Sequence, residues 1–416
     1  YLITLLLLYF GRGTVIKRIH QVRDGDDPPP VDSPRFKDMI KLLTGTTLVR
    51  GNQIEILHNG DGTYPRLWED LRGAREVIAF HAYFMRPGRL ADRLREILME
   101  RARAGVRVQL LVDAFGGWKL DHDYLRDLEA AGVKVARFRP PSFRNAYKFQ
   151  QRMHVRVVNI DGRIGYSGGF GIADQWLGDG RHKGQWRETN VRMEGPNVAQ
   201  LQVSFSANWA EATGTLLMGE DLFPAVSFQQ HGGQEAGIMY SSPSLGSTNA
   251  ERFFWLSIAA ARRRLYITNA YFVPDRDFHW LLKQAAQRGV DVRVLCPGAN
   301  NDRVSAYYAG RSHYEDLLRA GVRIYHYRPA MVHAKTFVAD GLWAAIGSFN
   351  FDNRSMKLNN EAALVVHDRG LAEELEQIFH QDLEWAAEVT LEDLEGRPWW
   401  PDRAREQAAR LVAPLL

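Results

Sequence analysis

The chain writes one α/β unit twice, and this duplication limits its fold more than any other feature. Residues 74–84 read AREVIAFHAYF and residues 261–272 read ARRRLYITNAYF. Each is a period-2 segment ending in Tyr-Phe, which predicts a strand, and an amphipathic helical stretch follows each. The segments RAGVRVQLLVD (103–113) and QRGVDVRVLCP (287–297) come next, then AAGVKVARF (130–138) and RAGVRIYHY (319–327). In every one a Gly precedes a β-branched run, a further strand signal. Each copy continues into a His-containing segment, at His154 and at His333. Alternating strands and helices predict α/β architecture with a mostly parallel sheet. The period of about 180–190 residues is too long for a solenoid, so the repeat is a duplicated domain.

Composition supports a globular reading. Of 416 residues, 45% are hydrophobic and 25% charged, which excludes a disordered chain, a collagen-like repeat and a polytopic membrane protein. The single cysteine, Cys296, lies in an apolar run and reads as a small core residue, with no intrachain disulfide open to it. The charge balance, 53 basic against 49 acidic residues for +4, suits an anionic lipid surface or a phosphate-bearing substrate and is too small to point to nucleic acid.

Residues 1–10 read YLITLLLLYF, with Lys17, Arg18, His20 and Arg23 after them. Ten residues of helix cover about 15 Å, half of a bilayer core. The stretch is either the end of a membrane anchor or an apolar helix docked on protein or membrane, and the basic flank points to the cytoplasmic side. The expected organisation is an apolar segment over 1–23, a Pro-rich linker over 24–45, a first domain over 46–225, a second over 226–385 and a C-terminal helical segment over 386–416 packed on the core. Trp399-Trp400 read as packing of that last segment or as an interfacial pair.

The chemistry concentrates around the two histidines. Residues 331–355 read MVHAKTFVADGLWAAIGSFNFDNRS. His333 and Lys335 are two apart and share a face if the segment is a strand. Asp340 follows at the strand end or turn, then Ser348 and Asn350, and the acid Glu361 lies further on. In the first copy His154, Arg156 and Asp161 keep the same spacing, and Glu188 is placed to serve His154. This pattern suits phosphodiester transfer through histidine. A neutral imidazole attacks phosphorus, a second, protonated histidine donates to the leaving alkoxide, and a carboxylate behind each fixes its tautomer. Fixed cations and Ser/Asn donors neutralise the developing charge, so neither cofactor nor metal is expected.

The two segments resemble the HKD motifs of the phospholipase D superfamily, and the bacterial cardiolipin synthases within it. Similarity extends over about residues 45–416 and includes GNQIEILHNGDGTYPRLWEDL (51–71), DGRIGYSGG (161–169), WRETNVRMEGPNV (186–198), the run from Tyr271 to Leu364 and ARLVAPLL (409–416). The resemblance implies two tandem α/β/α domains facing each other around a single active site. It implies His154 and His333 as nucleophile and general acid/base, with His154 favoured as nucleophile. Lys335, Ser348 and Asn350, with Arg156, would bind phosphate, Asp161 and Asp340 would support loops, and Glu188 and Glu361 would orient the histidines. The implied reaction moves a phosphatidyl group from phosphatidylglycerol to a second lipid alcohol, at a bacterial inner membrane with the catalytic domains cytoplasmic.

Three departures stand out. Arg156 replaces the expected Lys, Gly171 replaces an Asn, and His81 stands where an acid is more usual. Gly171 would remove a phosphate donor outright. Two other readings keep part of the pattern: water as acceptor, giving a phospholipase D-type phosphodiesterase, or a degenerate lipid-binding protein.

Overall fold

The computed structural model describes residues 28–141, 151–220, 222–223, 233–243, 247–396 and 402–412. The expectations for residues 1–23 and for Trp399-Trp400 fall outside them. After a helix α1 (Pro34–Thr44), the first half runs β1 (Val49–His58), α2 (Asn59–Gly73), β2 (Val77–Ala82), α3 (Arg89–Arg103), β3 (Arg107–Asp113), α4 (His122–Ala130), β4 (Lys134–Phe138), β5 (Val157–Ile160), β6 (Ile164–Gly168), β7 (Trp186–Arg187), β8 (Thr189–Glu194) and α5 (Asn197–Thr213). The second half repeats the pattern. It runs β9 (Gln234–Ser241), α6 (Asn249–Ala260), β10 (Arg264–Thr268), α7 (Arg276–Gln287), β11 (Asp291–Cys296), α8 (Val304–Arg311), α9 (Tyr314–Arg319), β12 (Arg323–Tyr327), β13 (Met331–Val332), β14 (Thr336–Ala339), β15 (Trp343–Gly347), β16 (Glu361–His367) and α10 (Arg369–Leu383).

Both halves order their strands alike: β1-β8-β6-β5-β2-β3-β4 and β9-β16-β15-β14-β10-β11-β12. The equivalent strands β1 and β9 pair antiparallel, with Val49 opposite Ala236, so the halves fuse into one continuous sheet about a local two-fold. Within the continuous sheet, parallel pairing is confined to β2-β3-β4 and β10-β11-β12, which corrects the expectation of a mostly parallel sheet. The reason is local. Asp161-Gly162 and Asp340-Gly341 take positive φ and close tight hairpins between β5 and β6 and between β14 and β15. Such turns join antiparallel neighbours, whereas a parallel pair needs a long crossover.

Helices form where apolar residues recur at helical spacing and a cap is present. In α7, Asp275 accepts from the Asp277 and Phe278 amides, and Phe278, Leu281, Leu282 and Ala285 turn inward. Gly105 and its counterpart Gly289 follow helices at φ 90° and 89° with open space around them, so only the backbone angle calls for glycine there. Helices α2, α3 and α4 cover one face of the first half, and α1, α6 and α7 the matching face of the second. On the opposite side, α5 and α10 enclose a shared core in which Phe205, Trp209, Ile346, Leu364 and Leu375 come from both halves.

Two segments hold elements beyond those expected. The stretch read as linker contains α1, whose Phe36 and Ile40 are buried in the second half's core, with Phe36 edge-on to Trp343. The proline and acidic residues before it masked an amphipathic helix that begins with Pro34 at its first position. Past α10 the chain adds an edge strand, β17 (Ala386–Val389), before α11 (Leu391–Glu395) and α12 (Ala404–Val412). Cys296 is buried, as expected.

His81, on β2, is fully buried, and neither ring nitrogen has a hydrogen-bond partner among the described residues. Burial, then the nearby Arg156, push its pKa down to about 3. The folded state therefore resists a proton that the unfolded chain accepts near pH 6.5. Stability is complete above that value and is lost as the pH falls toward 3. His81→Leu should remove about 2 kcal/mol of the stability difference between pH 7 and pH 5, read from denaturant melts at both pH values.

Candidate active site

Each catalytic candidate lies at the end of the sheet where the two halves meet. His154 and His333 precede β5 and β14 rather than sitting within a strand. The segment before each histidine pairs with the segment before the other half's glutamate. Met331 and Val332 run parallel to Trp186 and Arg187, and Met153 bridges Asn360. The His333 amide donates to the Arg187 carbonyl at 2.7 Å, and the His154 amide to the Asn360 carbonyl at 2.9 Å.

That pairing crosses the acids over. His154 Nδ1 lies 2.9 Å from both oxygens of Glu361, and His333 Nδ1 lies 2.6 Å from Glu188 Oε2. Glu188 thus serves His333 rather than His154, which corrects the assignment made within one motif. Sequence proximity misled because Glu188, between β7 and β8, and Glu361, at the start of β16, each reach the histidine of the other half. All four side chains are buried. Arg187 holds the junction: Nε donates to Asp382 Oδ1 at 2.9 Å, and Nη2 lies 2.8 Å from Oδ2 in a buried ion pair with α10.

The cations repeat the symmetry. Arg156 Nη1 donates to the His154 carbonyl at 2.7 Å and Nη2 lies 3.0 Å from His154 Nε2. A guanidinium has donors only, so Nε2 carries the lone pair and Nδ1 carries the proton that goes to Glu361. Lys335 Nζ likewise donates to the His333 carbonyl and lies 2.9 Å from Nδ1. Nδ1 has one proton to give, and the shorter bond to Glu188 takes it.

Electrostatics separate the two pairs. Burial would raise Glu188, but His333 and Lys335 outweigh it and hold the carboxyl down at about 2. Burial pushes Glu361 up to about 8, only partly offset by the Ser348 hydroxyl and Arg156. Burial and Lys335 push His333 down to about 3, although Glu188 opposes them. Burial, Arg156 and Lys335 hold His154 well below its ordinary value. Burial also lowers Lys335 to about 7 against the pull of Glu188. Each half's cation therefore acts on the other half's histidine.

The remaining sequence candidates divide. Asp161 accepts from the amides of Arg75, Glu76 and Val77, and Asp340 from those of Arg262, Arg263 and Arg264. Both clamp the start of the neighbouring strand and lie away from the histidines. The amides of Arg262–Arg264 serve Asp340, and the Arg264 guanidinium pairs with Glu376. Ser348, expected to bind phosphate, has its hydroxyl donating to Glu361 and accepting from the Ala362 amide at 3.1 Å. Asn350 lines a cavity with His154, Tyr83, Tyr271, Arg303 and Arg354. Among the described residues no group of three or more His, Cys, Asp or Glu side chains could hold a metal ion.

Gly171 is not a plain loss of a donor. A Cβ there would come within 2.7 Å of the Trp176 ring, which fills the space. Trp176 Nε1 donates to Glu188 Oε2 at 3.2 Å, the service that Ser348 performs for Glu361. At the position equivalent to Ser348, Gly169 leaves room for the Glu188 carboxylate, which a Cβ would meet at 2.5 Å. Trp186 stacks on His333 at 4.6 Å, and Trp176 meets it edge-on at 5.3 Å. Sequence reasoning missed both tryptophans. Their only sequence signal is two tryptophans between two glycine-rich stretches, which reads as ordinary core.

The chain matches the family described as cardiolipin synthase, PLD-like domain, over residues 67–209 and 256–383. It is 34% identical over 368 residues to a cardiolipin synthase of Geobacillus kaustophilus, covering 88% of this chain and 72% of that one. It is also 34% identical to cardiolipin synthase A of Pseudomonas putida, covering 88% of this chain and 75% of that one. Its fold is like that of a phosphatidylserine synthase from Haemophilus influenzae, with a TM-score of 0.70 at 15% identity over 92% of this chain and all of that one. The chain belongs to the phospholipase D superfamily, in the PLD-like domain family of the cardiolipin synthases.

Two variants separate packing from chemistry. Gly171→Ala should cost about 1–3 kcal/mol in unfolding free energy, because the added methyl meets an indole held on both sides. Trp176→Phe should leave the fold intact and lower kcat roughly tenfold, the loss of about 1.4 kcal/mol of support for Glu188.

Proposed function

We propose that the chain is a phosphatidyltransferase of the cardiolipin synthase type, acting through a phosphohistidine. The observation that carries this reading is the pair of crossed His–carboxylate contacts closing on one site with Lys335 and Arg156. His154 Nε2, its lone pair set by Arg156 and its Nδ1 proton held by Glu361, attacks the phosphorus of phosphatidylglycerol. The bond to the glycerol oxygen breaks, His333 gives that oxygen its proton, and glycerol leaves. His333 then takes the proton of a second lipid's hydroxyl, that oxygen attacks phosphorus, and the P–N bond breaks to restore His154.

The ionised Glu188 stabilises the imidazolium of His333. The arriving phosphodiester anion draws Lys335 and Arg156 and raises the proton affinity of His333 at the moment it must act as an acid. Asn350 and the two cations hold the non-bridging oxygens. Asp161 and Asp340 act at a distance by fixing the strands that carry the motifs.

Membrane association belongs to the same proposal, with the catalytic halves on the cytoplasmic face of a bacterial inner membrane. The apolar residues 1–10 and the basic residues after them support it. Among the described residues no helix is long and apolar enough to cross a membrane.

The test is mass spectrometry of lipids after the purified protein meets phosphatidylglycerol vesicles. Cardiolipin with free glycerol is expected, and His333→Ala should lower the rate roughly a thousandfold. Phosphatidic acid in place of cardiolipin would make water the acceptor, and turnover undiminished in His333→Ala would end the two-histidine mechanism. Arg156→Lys should keep activity within about tenfold, since Lys335 already spans the equivalent carbonyl and imidazole with one ammonium.

A further inference from the structure

The rim of the active site combines exposed aromatic tips with cations, and the two halves contribute equivalent loops. In the first half the loop after β3 exposes Phe115 by 49% and Trp118 by 64%. The loop is tied to the site. Its Gly116 carbonyl accepts from Arg86 Nη1 at 2.5 Å and from the Met85 amide at 3.4 Å. Asp113, at its base, accepts from the amide of Met153, the residue before His154. In the second half the loop after β11 ends at Arg303, and Val304, the first residue of α8, is 66% exposed. Arg303 lines the cavity that His154 opens onto.

The cations lie against the aromatic rings. Arg86 and Lys119 approach the Trp118 ring at 6.0 and 5.6 Å, and Arg303 lies 5.3 Å over Tyr271. Three acids lie near these cations, of which Asp352 is buried and accepts from the Ser355 amide at 2.7 Å. Asp113 is buried and accepts from the amides of Phe115 and Gly116, and Asp302 accepts from the Tyr271 hydroxyl at 2.8 Å. The rim thus presents indole and phenyl edges with positive charge beside them. Side chains of this kind favour the interfacial zone of a bilayer, and the charge favours anionic headgroups.

We propose that this rim docks on a bilayer containing anionic phospholipid. Trp118 and Phe115 enter the interfacial zone, and Arg86, Lys119 and Arg303 pair with lipid phosphates. This inference rests on the phosphatidyltransferase reading of the site. It places the cavity mouth against the membrane, so a headgroup reaches His154 while its acyl chains stay in the bilayer.

The test uses the full chain with Phe115→Ser/Trp118→Ser. A control, Leu42→Ser, removes an exposed apolar side chain on α1, the helix packed on the outer face of the second half. Turnover is measured on phosphatidylglycerol vesicles and on a monomeric short-chain phosphatidylglycerol, and sedimentation is compared on phosphatidylglycerol and phosphatidylcholine vesicles. The rim variant should lose roughly tenfold in vesicle turnover and in binding to the anionic vesicles, the affinity expected from exposing two aromatic side chains again. Its rate on the monomeric substrate should match wild type, as should both rates of the control.

Equal losses on both substrates would overturn the proposal, because the loop would then be shaping the site. So would an unchanged vesicle rate, which would leave the rim free for a protein partner, or an equal loss in the control. Absence of turnover by wild type would count against the transferase reading alone, and the sedimentation comparison would still decide the docking face.

Discussion

The crossed contacts between each histidine and the other half's glutamate are what the rest of the architecture serves. Neither half contains a complete catalytic unit. A buried carboxylate with no partner is expensive, and so is a buried imidazolium. Glu188 and Glu361 are both buried, and each is satisfied by the histidine from the opposite half. Docking the halves and building the site are therefore the same event. The continuous sheet, the antiparallel β1–β9 seam and the shared core under α5 and α10 hold the two-fold relation that these short bonds require.

Within that symmetry the halves have reached different solutions to one problem. Each orienting carboxylate needs a further donor to stay aimed. Glu361 has the Ser348 hydroxyl and the Asn359 amide, whereas Glu188 has the Trp176 indole and the Thr189 amide. The indole fills the space of a side chain at 171 and the Glu188 carboxylate fills it at 169, which accounts for both glycines. What reads as decay in the first motif is a substitution of one donor by another. The cost is a crowded His333, packed by Trp176 and Trp186, beside a His154 that opens onto the cavity.

Much of this was legible before any coordinates. The repeat announced a doubled α/β unit because each copy keeps its strand, helix and glycine signals in order. The i, i+2, i+7 spacing marked a His, a cation and an Asp at equivalent positions of both copies. What stayed hidden were relations across the two-fold. No local pattern says that Glu188 belongs to His333, because that partnership depends on β7 lying beside β13. Strand direction stayed hidden for a similar reason: the Asp-Gly segments read as turns and loop supports, but their spacing alone does not say that the strands they join pair antiparallel. Helix α1 was missed because its proline-rich entry resembles a linker, while its apolar face finds the second half's core only after folding. Trp176 carried no signal, since an indole in a glycine-rich region looks like core until its Nε1 is seen against a carboxylate.

The crossed pairing is tested most directly with a phosphatidyl donor whose leaving group is p-nitrophenol. That phenolate leaves without a general acid, so the first chemical step no longer depends on the acid histidine and its carboxylate. In a single-turnover burst, His333→Ala and Glu188→Ala should both still release close to one equivalent of nitrophenol per enzyme. His154→Ala and Glu361→Ala should both lose the burst. Sorting by motif instead, with Glu188→Ala failing alongside His154→Ala and Glu361→Ala behaving like His333→Ala, would contradict the account.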